Sequence, residues 1–327
     1  MKTINYSFGV DLNRAESLAQ SFGGKVEGNF IIVPNNIHTG IRYFLNYAPG
    51  INALYIDATY NDDMLFKQDT IDDNYIGFYF DLAKGQADIG FMDSSYPVGK
   101  WHYDLIILDS SIKCEYFVKK GSKSLALYIF IRKDIINQYL TKKKDIKSKF
   151  NRLMGSNGNS IIRLEKMSHD SFTRLMSLQN RDANDPFFDL YLIATISFLI
   201  SNSIGRLAAD RYVLNTVDIR DLIPILNVQK YLFKNIDKHF PSIRILAQEA
   251  NMSETKFKNL YKKITGETPN NSYLKYKLMH AKSLLEEERS SIAEISNQFF
   301  SNNAPYFSTK FKELFGIPPK EFVDKLK

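Results

Sequence analysis

The feature that most constrains this chain is a duplication near its end. Ile243, Leu246 and Ala247 recur 49 residues on as Ile292, Ile295 and Ser296. Phe257, Tyr261, Lys262, Gly266 and Pro269 recur 50 residues on as Phe307, Phe311, Lys312, Gly316 and Pro319. One residue is therefore inserted between the two blocks of the second copy. A fixed-period repeat marks one structural unit used twice, and each copy spells a short helix, a tight turn and a second helix. Ser242 and Ser291 stand where the first helix needs a cap, and Ser291 with Glu294 makes a capping box. Ile243, Leu246, Ala247 and Ala250 fall on one helical face. Asn251 sits at the turn, where a left-handed backbone is often needed and Asn tolerates it. Ser253 then caps a second helix whose inward face is Phe257, Leu260 and Tyr261. Its outward face is Thr255, Lys258, Asn259 and Lys262, polar and cationic as major-groove reading requires.

A single pattern of this kind is weak, because structural αα-hairpins are common. Charge sharpens it. Residues 229–327 hold 17 Lys+Arg against 11 Asp+Glu, a balance of +6 out of the chain's +7. That asymmetry points to a nucleic-acid-facing module joined to a neutral one. Leu274, Leu278, Ala281, Leu284 and Leu285 share one face of a helix bridging the copies. A stiff connector would hold both reading helices on one side of a duplex, about one turn or ~34 Å apart.

The last hundred residues resemble the DNA-binding domain of the AraC/XylS transcriptional regulators. The residues that carry the likeness run from Ser242 to Ala247, from Ser253 to Gly266 and from Tyr273 through Ala281 to Leu285. In the second copy they are Ser291 to Ile295, Tyr306 to Ser308, Phe311 and Lys312, and Gly316 to Pro319. Combining this resemblance with the outward faces, the expected base-reading residues are Thr255, Lys258, Asn259, Asn303, Ala304, Ser308 and Thr309. Expected phosphate contacts are Ser253, Lys262, Asn302, Lys310 and Lys312. The resemblance implies an α+β chain: a cupin-like antiparallel β sensor (1–132), a helical linker and dimerisation segment (133–215), and an all-α domain with two helix-turn-helix motifs (216–327). It also implies a homodimer on double-stranded DNA, activation by contact with RNA polymerase and a small-molecule effector. In the second copy Phe300 replaces the family's usual turn glycine and Ser301 the following aromatic. A bulky residue at positive φ is costly, so that turn must take another geometry. Thr309 replaces a frequent arginine, which ranks the first copy above the second as a base reader.

The residues ahead of this module support the same division. Short segments rich in β-branched and aromatic residues at 29–33, 40–47, 53–60, 75–81, 104–108, 114–119 and 124–131 predict a predominantly antiparallel sandwich or barrel. A short helix at 15–22 precedes them all. Helical periodicity follows at 168–178, 185–212 and 222–239, with a basic stretch at 142–149, a Gly/Ser/Asn loop at 155–160 and a hinge at 215–218. The long second helix is apolar on most faces, which predicts cover by the β domain or by a second copy. Its most apolar run, 187–200, is too short for a membrane span and carries Asp189, and residues 1–11 show no secretory pattern. A cytoplasmic protein without membrane, cofactor or metal is expected.

Other chemistry is thinly signalled. Pro97, Gly99 and His102 form half of a cupin metal motif whose His-x-His half is missing. Cys114, the sole cysteine, lies in a strand-like segment and reads as an inert thiol rather than a nucleophile. Trp101, Tyr103 and other aromatics could line a cavity. No catalytic residue is expected. The alternatives are a cupin-type enzyme fused to a DNA-binding module, a DNA-repair alkyltransferase that lacks its cysteines, and a constitutive DNA-binding protein.

Overall fold

The computed structural model describes residues 1–6, 13–68, 74–91, 94–99, 104–140, 162–179, 181–209, 219–265, 267–286 and 289–325. The expected features at 142–149, 155–160, 215–218, Gly266, Trp101, His102 and Tyr103 lie outside these. The chain divides into two compact units, Met1–Thr216 and Val217–Lys327.

The first unit is built on two sheets. Its strands are β1 (Lys2–Tyr6), β2 (Lys25–Glu27), β3 (Phe30–Ile32), β4 (His38–Ala48), β5 (Ile51–Tyr60), β6 (Met64–Gln68), β7 (Tyr75–Asp81), β8 (Ala87–Phe91), β9 (Ser94–Pro97), β10 (Leu105–Asp109), β11 (Cys114–Val118), β12 (Lys123–Arg132) and β13 (Ile162–Glu165). The five-stranded sheet runs β1-β6-β11-β8-β9 and the eight-stranded sheet β13-β10-β7-β12-β5-β4-β3-β2. Pairing is antiparallel as expected, with one exception: β1 runs parallel to β6, Lys2 opposite Met64. A helix α1 (Asn13–Ser21) precedes β2, and α2 (Lys133–Leu140) follows β12.

Alternation along the long strands explains why they read as continuous apolar runs: both faces are covered. On β12, Leu125, Leu127, Ile129 and Ile131 point to one core, while Tyr128 and Phe130 line the space on the other side. On β7, Ile76, Phe78 and Phe80 join that first core, and Tyr79 and Asp81 face the other way. Two helices, α3 (His169–Gln179) and α4 (Phe188–Ala209), cover the first face. Leu175 and Leu178 of α3 and Phe188, Leu192, Ile196, Leu199, Ile200 and Ile204 of α4 are all buried there. Steps of three and four residues put them on one stripe.

Of the two covers expected for α4, the sheet is therefore the one seen. The described helix, Phe188–Ala209, lies within the expected 185–212; its apolar stretch, however, exceeds the 187–200 read as too short, since Phe188–Arg206 is long and apolar enough to cross a membrane by length and composition. It instead buries one stripe on the sheet and carries Thr195, Ser197 and Ser203 within the chain's fold. The opposite side leaves Leu190 62% exposed, with Tyr191 and the preceding Phe187 also open.

The second unit holds α5 (Ile219–Lys234), α6 (Ile243–Glu249), α7 (Glu254–Thr265), α8 (Pro269–Glu286), α9 (Ile292–Phe299), α10 (Ala304–Phe315) and α11 (Pro319–Asp324). Two cores form around the two copies. One gathers Ile225, Val228 and Leu232 of α5 with Leu246, Ala247, Ala250, Phe257, Tyr261 and Tyr273. The other gathers Leu278, Ala281 and Leu285 of α8 with Ile295, Phe299, Phe300, Phe307 and Phe311. Ala247 and Ser296, equivalent in the repeat, are each 1% exposed; small residues there permit close helix crossing.

Candidate functional site

Each copy positions its second helix through local chemistry. Ser242 accepts from the Ile245 amide, and Ser291 forms the full capping box with Glu294. The turns then differ. In the first copy Asn251 has φ +52, and the Met252 amide closes back onto Ala247 O at 2.9 Å. In the second copy α9 runs one residue further. Phe300 takes φ −123, and the left-handed residues are Ser301 (φ +52) and Asn302 (φ +60). The Asn302 amide reaches Ser296 O at 3.1 Å. The inserted residue is thus absorbed as a wider turn, and Phe300 is free to stack on Phe307 at 4.6 Å.

On α7, the Lys256 amide donates to the capping Ser253 Oγ at 3.3 Å. Phe257 and Tyr261 are fully buried, so Thr255, Lys258, Asn259 and Lys262 emerge together on the exposed side. On α10, Phe307 and Phe311 take the buried places. Ala304, Thr309 and Lys312 are exposed, while Ser308 and Lys310 are half-buried. Asn303 Oδ1 accepts from the Tyr306 amide at 3.0 Å, so its carbonyl caps the helix and only its NH2 group faces outward. Lys310 Nζ sits 2.7 Å from Glu313, an exposed pair that is cheap to break. Asn302, expected at phosphate, is one of the two left-handed turn residues. Gly316, φ +83, ends α10 with its N–H on Lys312 O.

Sequence reasoning missed three features here. Tyr306 is 43% exposed on the first turn of α10, an aromatic edge beside the expected base readers. Lys256 pairs with Asp221 of α5 at 2.8 Å. Most consequentially, Lys277 of α8 donates to Lys238 O at 2.9 Å and to Phe299 O at 3.0 Å. One ammonium thus ties the turn after α5, in the first half, to the end of α9, in the second. Burial holds its pKa below the ordinary lysine value.

A family profile described as a helix-turn-helix domain matches residues 246–325. Residues 246–325 of the second unit thus match a helix-turn-helix domain of the AraC type. The transcriptional regulator GbdR of Pseudomonas aeruginosa is 34% identical over 76 residues, 23% of this chain and 21% of its own length. LumQ, a probable transcriptional regulator of Photobacterium leiognathi, is 22% identical over 165 residues, 50% of this chain and 63% of its own. The chain thus spans about a fifth of the first of these relatives and under two thirds of the second. ToxT from Vibrio cholerae aligns in structure over 84% of this chain and 98% of its own, at 14% identity and a TM-score of 0.31.

The first unit holds a second candidate. Between its two sheets lies a cavity of about 40 Å³, lined among others by Leu18, Arg42, Leu54, Ile56, Tyr60, Asp81 and Ile106. Arg42 is 3% exposed. Its Nε donates to His38 Nε2 at 2.9 Å and one Nη to Tyr60 Oη at 2.7 Å. That bond makes His38 the acceptor and puts its ring proton on Nδ1, which has no partner among the described residues. Burial and the neighbouring guanidinium lower the His38 pKa to about 3. Asp81, 1% exposed, accepts from the Ala83 amide and from Tyr116 and Tyr128 hydroxyls, yet burial still raises its carboxyl above the ordinary range. Cys114 is buried as expected, and burial pushes its thiol up to about 12. A thiol so raised stays protonated and is a poor nucleophile.

Proposed function

We propose that this chain is a sequence-specific transcriptional regulator, an activator that binds double-stranded DNA as a cytoplasmic homodimer and answers to a small-molecule effector. The observation that carries the reading is the matched pair of polar faces, the exposed Thr255, Lys258, Asn259 and Lys262 on α7 with the exposed Thr309 and Lys312 and the half-buried Ser308 on α10. Each stands behind a capped turn on its own core. Asn259 is the leading base reader, since an exposed amide pairs with adenine N6 and N7. Lys262 and Lys312 are assigned to phosphate. The exposed stripe of Phe187, Leu190, Tyr191 and Ala194 supports a dimer, because apolar side chains clustered in water mark contact surfaces. The cavity between the sheets supports an effector site, and contact with RNA polymerase would follow from activation.

Selection of randomised duplexes followed by salt titration tests this. Affinity should fall steeply with salt as phosphate contacts release counterions. Asn259→Ala should cost about 1–3 kcal/mol on the selected site and relax one base position. Lys262→Ala and Lys312→Ala should each flatten the salt slope by about one unit on every sequence. A flat salt response with no selected sequence would overturn the reading.

A further inference from the structure

Strand register gathers a set of charges at one end of the eight-stranded sheet. Thr39 on β4, Thr59 on β5, Lys123 on β12 and Lys84, just past β7, form one row across it. The next row runs Ile41, Asp57, Leu125 and Leu82. Leu82 and Leu125 belong to the core under α3 and α4. Side chains alternate between faces along a strand, so both rows lie on the helix-covered face, opposite the cavity that holds Arg42. Helix α3 ends over them at Gln179. Its Met176 and Gln179 wall a pocket of about 420 Å³ whose floor is made by the two rows, a size ordinary for small-ligand sites.

The charges in this pocket are unmatched. Lys84 N donates to Lys123 O at 2.7 Å and Lys123 N to Lys84 O at 2.9 Å, so the two lysines stand directly opposite each other. Like charges so placed repel, and neither lysine has an ion-pair partner among the described residues. Asp57 is half-buried, and its carboxylate accepts no hydrogen bond among the described residues. Burial raises its carboxyl above the ordinary range despite the pull of Lys123.

Two ammoniums and one carboxylate are complemented by a molecule with two anionic groups and one cation. A phosphate or sulfate would answer both lysines but set a second negative charge beside Asp57. A neutral zwitterion would leave one lysine unanswered. We propose that this pocket binds an acidic α-amino acid, with one carboxylate on each of Lys84 and Lys123 and the ammonium on Asp57. The Thr39 and Thr59 hydroxyls add donors for the carboxylates. The end of α3 favours the ammonium, because helix C-termini attract cations. Leu82 and Leu125 underlie the methylenes, and water fills the remaining volume.

Titration calorimetry and thermal melts of the full chain with sodium L-glutamate and L-aspartate test this, against sodium chloride at equal ionic strength. Glutamine lacks one carboxylate, glutarate lacks the ammonium, and inorganic phosphate lacks both the ammonium and the second anionic group. At least one acidic amino acid should raise Tm by about 2–3 °C at several times Kd, and the three comparison compounds should bind at least tenfold more weakly. Lys84→Gln and Lys123→Gln, both at exposed positions, should each cost at least tenfold in affinity. Asp57→Asn should weaken the amino acid by a similar factor while glutarate binds no worse than before. Should Asp57→Asn fail to fold, the glutamate-to-glutarate ratio of the unmodified chain tests the ammonium by itself. Glutarate or phosphate binding as tightly as the amino acids, unchanged affinity in Lys84→Gln, or silence from both amino acids would each overturn the assignment.

Discussion

The two turns set up a sharp reversal. Restoring the family's glycine at Phe300 should damage the protein, whereas the same residue one position later should improve it. Phe300 has φ −123, where any residue is comfortable, is 6% exposed and stacks on Phe307 with planes 26° apart. Phe300→Gly therefore relieves nothing and empties a packed site, at about 3–5 kcal/mol. Ser301 has φ +52, a conformation costing a side-chain-bearing residue about 1–2 kcal/mol. Glycine's extra unfolded-state entropy takes back about 0.5–1 kcal/mol, so Ser301→Gly should stabilise by roughly 0.5–1 kcal/mol net. Urea melts of the full-length chain followed by circular dichroism measure both, with amide exchange over 292–315 assigning the change to this copy. Exchange there should slow about two- to fivefold in Ser301→Gly and quicken more than a hundredfold in Phe300→Gly. If Phe300→Gly were neutral while Ser301→Gly destabilised, the left-handed residue would lie at 300 and the wider turn would be wrong.

Three further outcomes are expected. Lys277→Met removes two charge-assisted bonds that join the halves, so selection on duplexes with variable gaps should show a loosened spacing preference, with Lys277→Arg closer to wild type; unchanged spacing in Lys277→Met would refute the strut. Leu190→Glu should give a monomer by sedimentation with stability within about 0.5 kcal/mol of wild type, because the site is exposed, whereas Leu192→Ala, fully buried, should cost about 2–5 kcal/mol; a dimer surviving Leu190→Glu would discard that face. His38, folded near pKa 3, binds a proton more readily unfolded, so its contribution is fully present above about pH 6.5 and is lost as pH falls from there toward 3, by up to about 1.4 kcal/mol per unit. His38→Gln should flatten that part of the stability profile, and an unaltered slope between pH 6 and 4 would clear His38 of the effect.

What the sequence disclosed followed the range of the forces involved. Helix caps, the apolar stripe of Leu246, Ala247 and Phe257, and Gly316 act within a few residues, so the second unit was legible almost to its boundaries. The central strands were legible because both-sided burial leaves dense runs such as 75–81. Strands β1, β2, β6, β8, β9 and β13 were not, since short segments owe their state to partners far along the chain; the parallel β1–β6 pair joins Lys2 to Met64. The helix at 133–140 was also missed. Within the candidate interface, the exposed side of α7 could be traced from spacing alone. The Lys256–Asp221 pair and the reach of Lys277 could not, because a lysine on a helix reads as solvent-facing until a distant group is placed beside it; the Asn303 cap and the Lys310–Glu313 pair are local and were overlooked. The Arg42 cluster brings together β4, β5 and residues of α1's neighbourhood, with no local signature at all.

The helix between the copies has a consequence for how the protein is lost. Tyr273 near its start walls one core, and Leu278, Ala281 and Leu285 wall the other. Neither half-core is complete without its own segment of that rod. A protease nick within 270–286 would therefore strip a wall from both at once, and a chain truncated there would leave neither half-core complete. Cleavage there should therefore unfold both half-cores together rather than leave one of them intact.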